Sequence, residues 1–338
     1  MDRLASEGLF FTRVYATGTR TTRGMEAITL SIPPTPGRSI LHRENNQGLF
    51  NIGSVFRSRG YETVFLYGGF GRFDNMNEFF TGNGFRVVDR SSVDASQITF
   101  ANVWGACDED LYRWTIREAD RHHEQGNPFY FFVMTTSNHR PYTFPAGRID
   151  LDQGTRISAV KYTDYAIGEF VREASSRPWF NDTIFVLIAD HTASSAGKAE
   201  LDIVRYRIPM IIWAPKIIDG PRRVDTLSSQ IDLPPTLFSL LGWSWSGPFF
   251  GKDILAMSPE NGRAFIGNYQ KLALFRDEQV AILRPTGDAT FYKVGPWGED
   301  PEPIAKPETD LYEDAVAIHQ SAFILYSRGK LNEVFVLE

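Results

Sequence analysis

The amino-acid sequence predicts an α/β sandwich with a mostly parallel central sheet, followed by a small antiparallel subdomain. Three observations predict it. Up to about residue 245, short runs that are apolar at nearly every position alternate with stretches of helical periodicity. Such runs suit strands covered on both faces, as parallel strands are. After about residue 260 the runs shorten and polar residues break them, which reads as an antiparallel sheet.

In chain order, a helix over about residues 47–59 leads to a strand at Thr63–Tyr67, which ends in Gly68-Gly69. A helix over 108–124 follows, with Asp108 expected as its N-cap. The strand Pro128–Met134 ends in Thr135-Thr136-Ser137-Asn138-His139, and a helix over 157–176 comes next. The strand Thr183–Ala189 ends in Asp190-His191, and Ile208–Trp213 ends in Ala214-Pro215. A helix over 232–241 has Asp232 as its expected N-cap and Gly242 as its stop. Ala264–Tyr269, Leu272–Phe275, Gln279–Leu283 and Thr290–Val294 form the antiparallel sheet. Residues 296–308, rich in Pro, Gly and acid, read as a loop, and 309–328 as the last helix. The expected division is a core over 1–258 and a C-terminal β subdomain with its helix over 259–338.

Composition narrows the function. Hydrophobic residues are 42% of 338, enough for a full core, so wholesale disorder is excluded. Lys and Arg number 35 against 41 Asp and Glu, and neither sign forms a block. Without a basic face, no nucleic-acid partner is expected. The single cysteine, Cys107, permits no intrachain disulfide. No apolar run approaches the roughly 20 residues that a membrane-spanning helix needs. The opening Met1–Glu7 is acidic and polar, unlike a signal peptide.

Ligands of open α/β sheets gather beyond the carboxyl ends of the strands, and three strand ends here are polar. Asp190 and His191 can turn a carboxylate and an imidazole toward one divalent cation. An N-cap Asp followed by a surface His is the ordinary alternative, and spacing alone does not separate the two. Asn138, His139 and Arg140 can donate to an anionic ester, or form a polar loop before the Pro141 turn. Arg72, Phe73 and Asn75, after the Gly68-Gly69-Phe70-Gly71 loop, can wall a pocket. A fourth cluster is Thr17-Gly18-Thr19-Arg20-Thr21-Thr22-Arg23-Gly24, which runs into a helical pattern. Hydroxyls and arginines at a helix start either cap it or face a bound anion.

The segment Thr17–Glu26, followed by Ile32-Pro33, resembles the nucleophile segment of the sulfatase-like phosphoglycerol transferases. These belong to the alkaline phosphatase/sulfatase superfamily and include the lipoteichoic acid synthases and the enzymes that decorate periplasmic glucans. Leu4–Phe11 is similar to the lead-in of that segment, and Ser229–Leu237 and Phe249–Asp253 to later superfamily segments. The resemblance covers about residues 1–290. It implies an alkaline-phosphatase/sulfatase-like fold and a threonine nucleophile that also binds the metal. It makes Asp190 and His191 the metal pair and His139 a catalytic histidine. It places Arg20, Arg23, Phe73, Asn75 and Asn138 at the substrate. Alignment on Gly24-Met25 and Ile32-Pro33 puts the nucleophile at Thr21, and alignment on Glu26 puts it at Thr22. Thr21 agrees with more of the flanking residues.

What the resemblance implies is metal-dependent phosphoglycerol transfer through a covalent Thr intermediate. The implied cofactor is one divalent cation, Mn2+ first, with Mg2+ or Zn2+ as alternatives. The implied partners are an anionic phospholipid donor and a glycan or glycerol-type acceptor. The implied location is extracytoplasmic, with a membrane anchor in the full-length protein. Alternatives are a phosphoesterase, a phosphoethanolamine transferase or a sulfuric ester hydrolase, and an inactive module that binds anionic glycolipid. Two departures stand out. No Cys-x-Pro-x-Arg segment is present, and Cys107 reads as a small buried residue. The acidic metal ligand that the family carries on an earlier strand would lie upstream of Leu4, so the chain is expected to be a truncated form.

Overall fold

A computed structural model describes residues 1–193 and 201–332. The helices are α1 (Asp2–Glu7), α2 (Thr21–Leu30), α3 (Ile52–Arg57), α4 (Met76–Gly82), α5 (Asp108–Glu124), α6 (Arg156–Ala174), α7 (Leu233–Leu240) and α8 (Leu311–Ser327). The strands are β1 (Leu9–Tyr15), β2 (Glu62–Tyr67), β3 (Arg86–Val88), β4 (Phe129–Met134), β5 (Phe185–Ile188), β6 (Arg207–Trp213), β7 (Arg222–Val224), β8 (Ser228–Ser229), β9 (Ala264–Gly267), β10 (Leu272–Arg276), β11 (Gln279–Leu283), β12 (Ala289–Lys293) and β13 (Glu302–Ile304). The chain forms two compact units. One comprises Met1–Leu4, Gly53–Ile184 and Ala214–Asp219, and the other Ala5–Ile52, Phe185–Trp213 and Gly220–Glu338.

In the first unit, β3-β2-β4 form an all-parallel sheet, with Glu62 opposite Phe129 and Tyr67 opposite Met134. Val64, Leu66 and Val88 pack on Leu111 and Trp114 of α5. Phe65, on the other face of β2, stacks on Phe80 at 3.8 Å between ring centroids. The sheet is thus covered on both sides, as its unbroken apolar runs require.

In the second unit, the sheet β5-β6-β1-β7, with β8 also on β1, is mixed. β7 and β8 run parallel to β1, but β6 runs antiparallel to both β1 and β5. The expected parallel pairing therefore does not extend to β6. A strand buried on both faces carries the same apolar pattern in either direction, so its sequence cannot reveal this. β1 itself is not evident in the sequence, because Thr12 and Arg13 interrupt its apolar run. The register shifts between Phe11 and Val14, and this irregularity accommodates the two polar residues.

The C-terminal sheet β13-β12-β11-β10-β9 is antiparallel throughout. Its side chains alternate cleanly. Ile266, Ala273, Phe275, Val280 and Ile282 pack with Tyr15 of β1. Phe265, Leu274 and Ala281 pack with Ala27 of α2 and with Leu311 and Ala315 of α8. β13 lies inside the segment expected to be a loop. Its pairing to β12 is an edge pairing that Pro303 tolerates.

Both expected caps are used differently. Asp108 is the first residue of α5, and its carboxylate accepts from the Thr136 and Ser137 amides after β4. Asp232 precedes α7 but makes no side-chain cap bond to it. It accepts from the Ser229 and Lys252 amides and from both terminal nitrogens of Arg263, at 2.8 and 2.9 Å. A buried carboxylate needs several donors, and a neighbouring loop or an arginine supplies more than a helix end does.

Candidate active site

The second unit holds the threonine segment and the Asp-His pair. Thr21 opens α2, with Arg20 in extended conformation before it. Three residues on, Gly24 lies directly against the backbone of Asp190. A Cβ added there would stand 2.5 Å from the Asp190 carbonyl oxygen. Positions three apart share a helix face, so Thr21 is on the face of α2 that meets Asp190, whereas Thr22 is turned about 100° away. Thr22 is 6% exposed and Thr21 is partly exposed. Gln230 fastens the same junction. Its Nε2 donates to the carbonyls of Ala189 and Asp190, both at 2.8 Å, and its Oε1 accepts from the Thr17 amide at 2.9 Å.

Asp190 and His191 follow β5 and are half-buried. Asp190 Oδ1 accepts from the His191 amide at 2.9 Å. His191 Nδ1 lies 2.9 Å from the Thr192 carbonyl, which can only accept, so Nδ1 carries the proton. Nε2 lies 3.5 Å from Asp190 Oδ2. This is the usual preparation of a metal-binding imidazole, with one nitrogen held by a carbonyl and the other left to ligate. One carboxylate, one imidazole and one hydroxyl suit Mn2+, Mg2+ or Zn2+. Among the described residues no group of three or more His, Cys, Asp or Glu gathers.

The two arginines of the threonine segment part company. Arg23 is buried and turned inward. Its guanidinium meets Glu26 Oε1 at 2.7 Å and the carbonyls of Thr35 and Gly37 at 2.9 and 2.6 Å. Glu26 in turn accepts from Ser39 Oγ at 2.7 Å. The Arg23–Glu26 pair thus staples residues 35–39 to α2. Arg20 is exposed, and its Nε donates to the Tyr269 hydroxyl at 2.9 Å.

The first unit holds the other expected residues. Phe73 is half exposed, and Asp74 and Asn75 after it both have positive φ, which short polar side chains tolerate. Asn138 and His139 are exposed on the loop after β4. The root of that loop is fixed by Asp108, whose pKa burial raises. Sequence reasoning missed Trp104. Its ring lies 3.5 Å from that of His139 and meets Phe73 edge-on at 5.7 Å. It also missed Gln230 and the close approach at Gly24. Gly24 and Gln230 lie inside segments that resemble the family's, whereas Trp104 lies in none of them.

A family profile described as Sulfatase matches residues 1–243. The chain belongs to the sulfatase family. A member of the alkaline phosphatase superfamily from Vibrio parahaemolyticus is 34% identical, with a TM-score of 0.92 over 99% of this chain and 82% of that one. The lipoteichoic acid synthase LtaP from Listeria monocytogenes shares the fold at 17% identity, with a TM-score of 0.74 over 100% of this chain and 86% of that one. Phosphoglycerol transferase I of Salmonella typhimurium is 26% identical over 152 residues, 42% of this chain. That match spans only 20% of the transferase. The chain is thus a sulfatase-family domain of the alkaline phosphatase superfamily. No helix among the described residues is long and apolar enough to cross a membrane.

Proposed function

We propose that this domain transfers a phosphoglycerol unit from an anionic phospholipid to a glycan or glycerol-type hydroxyl, through a covalent intermediate on Thr21. The observation that supports the reading is the packing of Gly24, three residues after Thr21 in the same helix, on the backbone of Asp190. The likeness to phosphoglycerol transferase I supports the phosphodiester class. Asp190, His191 and the Thr21 hydroxyl would hold one divalent cation, Mn2+ in the first instance. Such a cation, when bound, lowers the pKa of a coordinated hydroxyl and offsets charge on the transferred group.

The protein's own part is as follows. Thr21 Oγ1 gives its proton to solvent water, which returns one when Oγ1 leaves in the second step, and attacks phosphorus, forming the threonyl phosphodiester as the bond to the diacylglycerol oxygen breaks. His139 Nε2 gives a proton to that leaving oxygen. The acceptor hydroxyl then attacks phosphorus, its proton returns to the histidine, and Thr21 is released. Arg20 and Asn138 offset charge on the phosphoryl oxygens, and Phe73 and Asn75 wall the site. Arg23 contributes by holding α2. With water as acceptor the same steps give hydrolysis.

The sulfate-ester reading has little support from Cys107. It is buried, lies outside any formylglycine-type segment, and burial pushes its thiol up to about 12.

The test is direct. With Mn2+, Mg2+ or Zn2+, the protein should release a glycerophosphate-type product from phosphatidylglycerol vesicles and should cleave bis(4-nitrophenyl) phosphate. It should not cleave 4-nitrophenyl sulfate. Robust sulfate turnover without phosphodiester turnover would reverse the assignment. A chain that binds no metal and turns over neither substrate would be the inactive glycolipid-binding module.

A further inference from the structure

Trp104 has no part in the reaction as drawn so far, yet the first unit invests several contacts in placing it. The loop that carries it is closed by the bridge between Ala101 and Ala106 and by the Asn102 amide donating to Gly105 O at 2.9 Å. The Trp104 amide donates to Asn102 Oδ1 at 2.8 Å, and Asn102 Nδ2 donates to Thr143 Oγ1 at 3.1 Å. The loop is seated on the end of β2, where the Ala106 amide donates to Gly68 O at 2.8 Å. Glycines make this seat possible. A Cβ on Gly69 would stand 2.5 Å from Trp104 O, and one on Gly105 would stand 2.4 Å from Gly68 O.

From that seat the indole reaches the His139 loop. Its Nε1–H donates to the Arg140 carbonyl, and the rings of Trp104 and His139 lie 3.5 Å apart, tilted by 34°. His139 Nδ1 lies 3.3 Å from the same Arg140 carbonyl. A carbonyl only accepts, so Nδ1 carries a proton and Nε2 is the atom that gains or loses one. A tryptophan used only for packing would be expected in the interior. This one is partly exposed, its neighbour Val103 is 79% exposed, and its main contact is an exposed histidine.

We propose that Trp104 is a positioning residue that fixes the ring plane and tautomer of His139 for proton delivery to the leaving oxygen. The inference rests on the reading of His139 as the proton donor. A donor free to rotate spends little of its time aligned, and loose alignment of a catalytic group costs one to two orders of magnitude.

The test uses leaving groups that differ in their need for a proton. A diacylglycerol alkoxide needs one, whereas nitrophenolate leaves without it. Because His139 also takes the acceptor's proton in the second step, the comparison reads the first step alone. In the full chain with Mn2+, Trp104→Leu should slow the pre-steady-state burst of diacylglycerol release from phosphatidylglycerol vesicles about tenfold and leave the burst of nitrophenolate from bis(4-nitrophenyl) phosphate within about twofold. Trp104→Phe should recover most of the loss. His139→Asn should show the same substrate split more strongly, and adding Trp104→Leu to it should cost nothing further. In 13C-histidine-labelled protein, the His139 Cε1–H resonance, identified by its loss in His139→Asn, should move downfield when the indole ring current is removed. Equal losses on both substrates in Trp104→Leu, additive losses in the double variant, or an unmoved resonance would overturn the proposal. If His139→Asn leaves turnover of both substrates intact, the assignment of His139 fails instead, and the resonance still reports the stack.

Discussion

Gly24→Ala tests the junction on which the site depends. The added Cβ would lie 2.5 Å from Asp190 O and 3.0 Å from its carbonyl carbon and Cα, whereas ordinary contact begins at 3.4 Å. All three atoms are backbone at a strand end, and none can swing aside. The helix and the strand end must therefore separate by about 0.9 Å, the difference between those two distances. Catalytic constellations tolerate about 0.5 Å, and a displacement near 1 Å costs about a hundredfold. The stability effect is smaller, because two terms oppose. Overpacking costs about 1–3 kcal/mol, while replacing a helical Gly by Ala returns about 1 kcal/mol. Phosphodiester turnover should fall about a hundredfold and metal affinity should weaken, while Tm falls by only a few degrees. Gly168→Ala is the control. It lies in α6 with nothing within 4 Å of an added Cβ, so it should raise Tm slightly and leave turnover unchanged. If Gly24→Ala kept turnover within threefold and its metal affinity, the proposed coupling of Thr21 to Asp190 through this contact would be wrong.

Other expectations follow from the same geometry. Thr21→Ala should keep its unfolding free energy within about 1 kcal/mol of the parent but abolish turnover, whereas Thr22→Ala should stay active; an acid-trapped adduct mapped by peptide mass spectrometry to Thr22 would reverse the pair. Asp190→Ala or His191→Ala should remove bound metal from a protein that still folds, and unchanged metal content by elemental analysis would defeat the ligand assignment. His319, buried on α8 with Nδ1 2.7 Å from Pro34 O, is held down to about 4, chiefly by burial. In the folded chain it therefore binds fewer protons than in the unfolded one. Its contribution to stability is present above pH 6.5 and is lost as pH falls from there to about 4, by about 3 kcal/mol in all. Urea midpoints across that window should drop less steeply in His319→Gln, and identical slopes would show that another group governs the acid limb.

How legible this was differs from residue to residue. The strands at Glu62–Tyr67 and Phe129–Met134 and the helices over Asp108–Glu124 and Arg156–Ala174 stand within a few residues of where periodicity put them. Burial on both faces of a strand, or along one stripe of a helix, must be written locally in residue type. The alkaline-phosphatase-like fold and the sulfatase-family membership were legible for a related reason. The threonine segment, the strand-end Asp-His pair and the late Ser229–Leu237 segment each keep their own spacing, whatever lies between them. The sequence by itself therefore determined the layer type, the order of the elements and the list of groups available for chemistry.

Only the tertiary structure decided direction and partnership. β6 runs antiparallel because of what it pairs with, and its apolar residues are silent on that. Arg20 and Arg23 are equivalent in sequence, yet one faces outward to Tyr269 and the other closes on Glu26. Asp108 and Asp232 were eligible to cap helices but went to partners 28 and 31 residues away, where more donors waited. Thr21 shares the helix face on which Gly24 meets Asp190 and Thr22 does not, and that face is set by a residue 166 positions further along the chain. Trp104 carried no signal at all, and Gln230 none beyond its place in a matched segment, because each acts through a carbonyl or a ring that another segment brings to it. Propensity and patterning are properties of neighbours in the chain. A hydrogen bond or a close approach depends on which distant backbone arrives, and that is settled only when the layers pack.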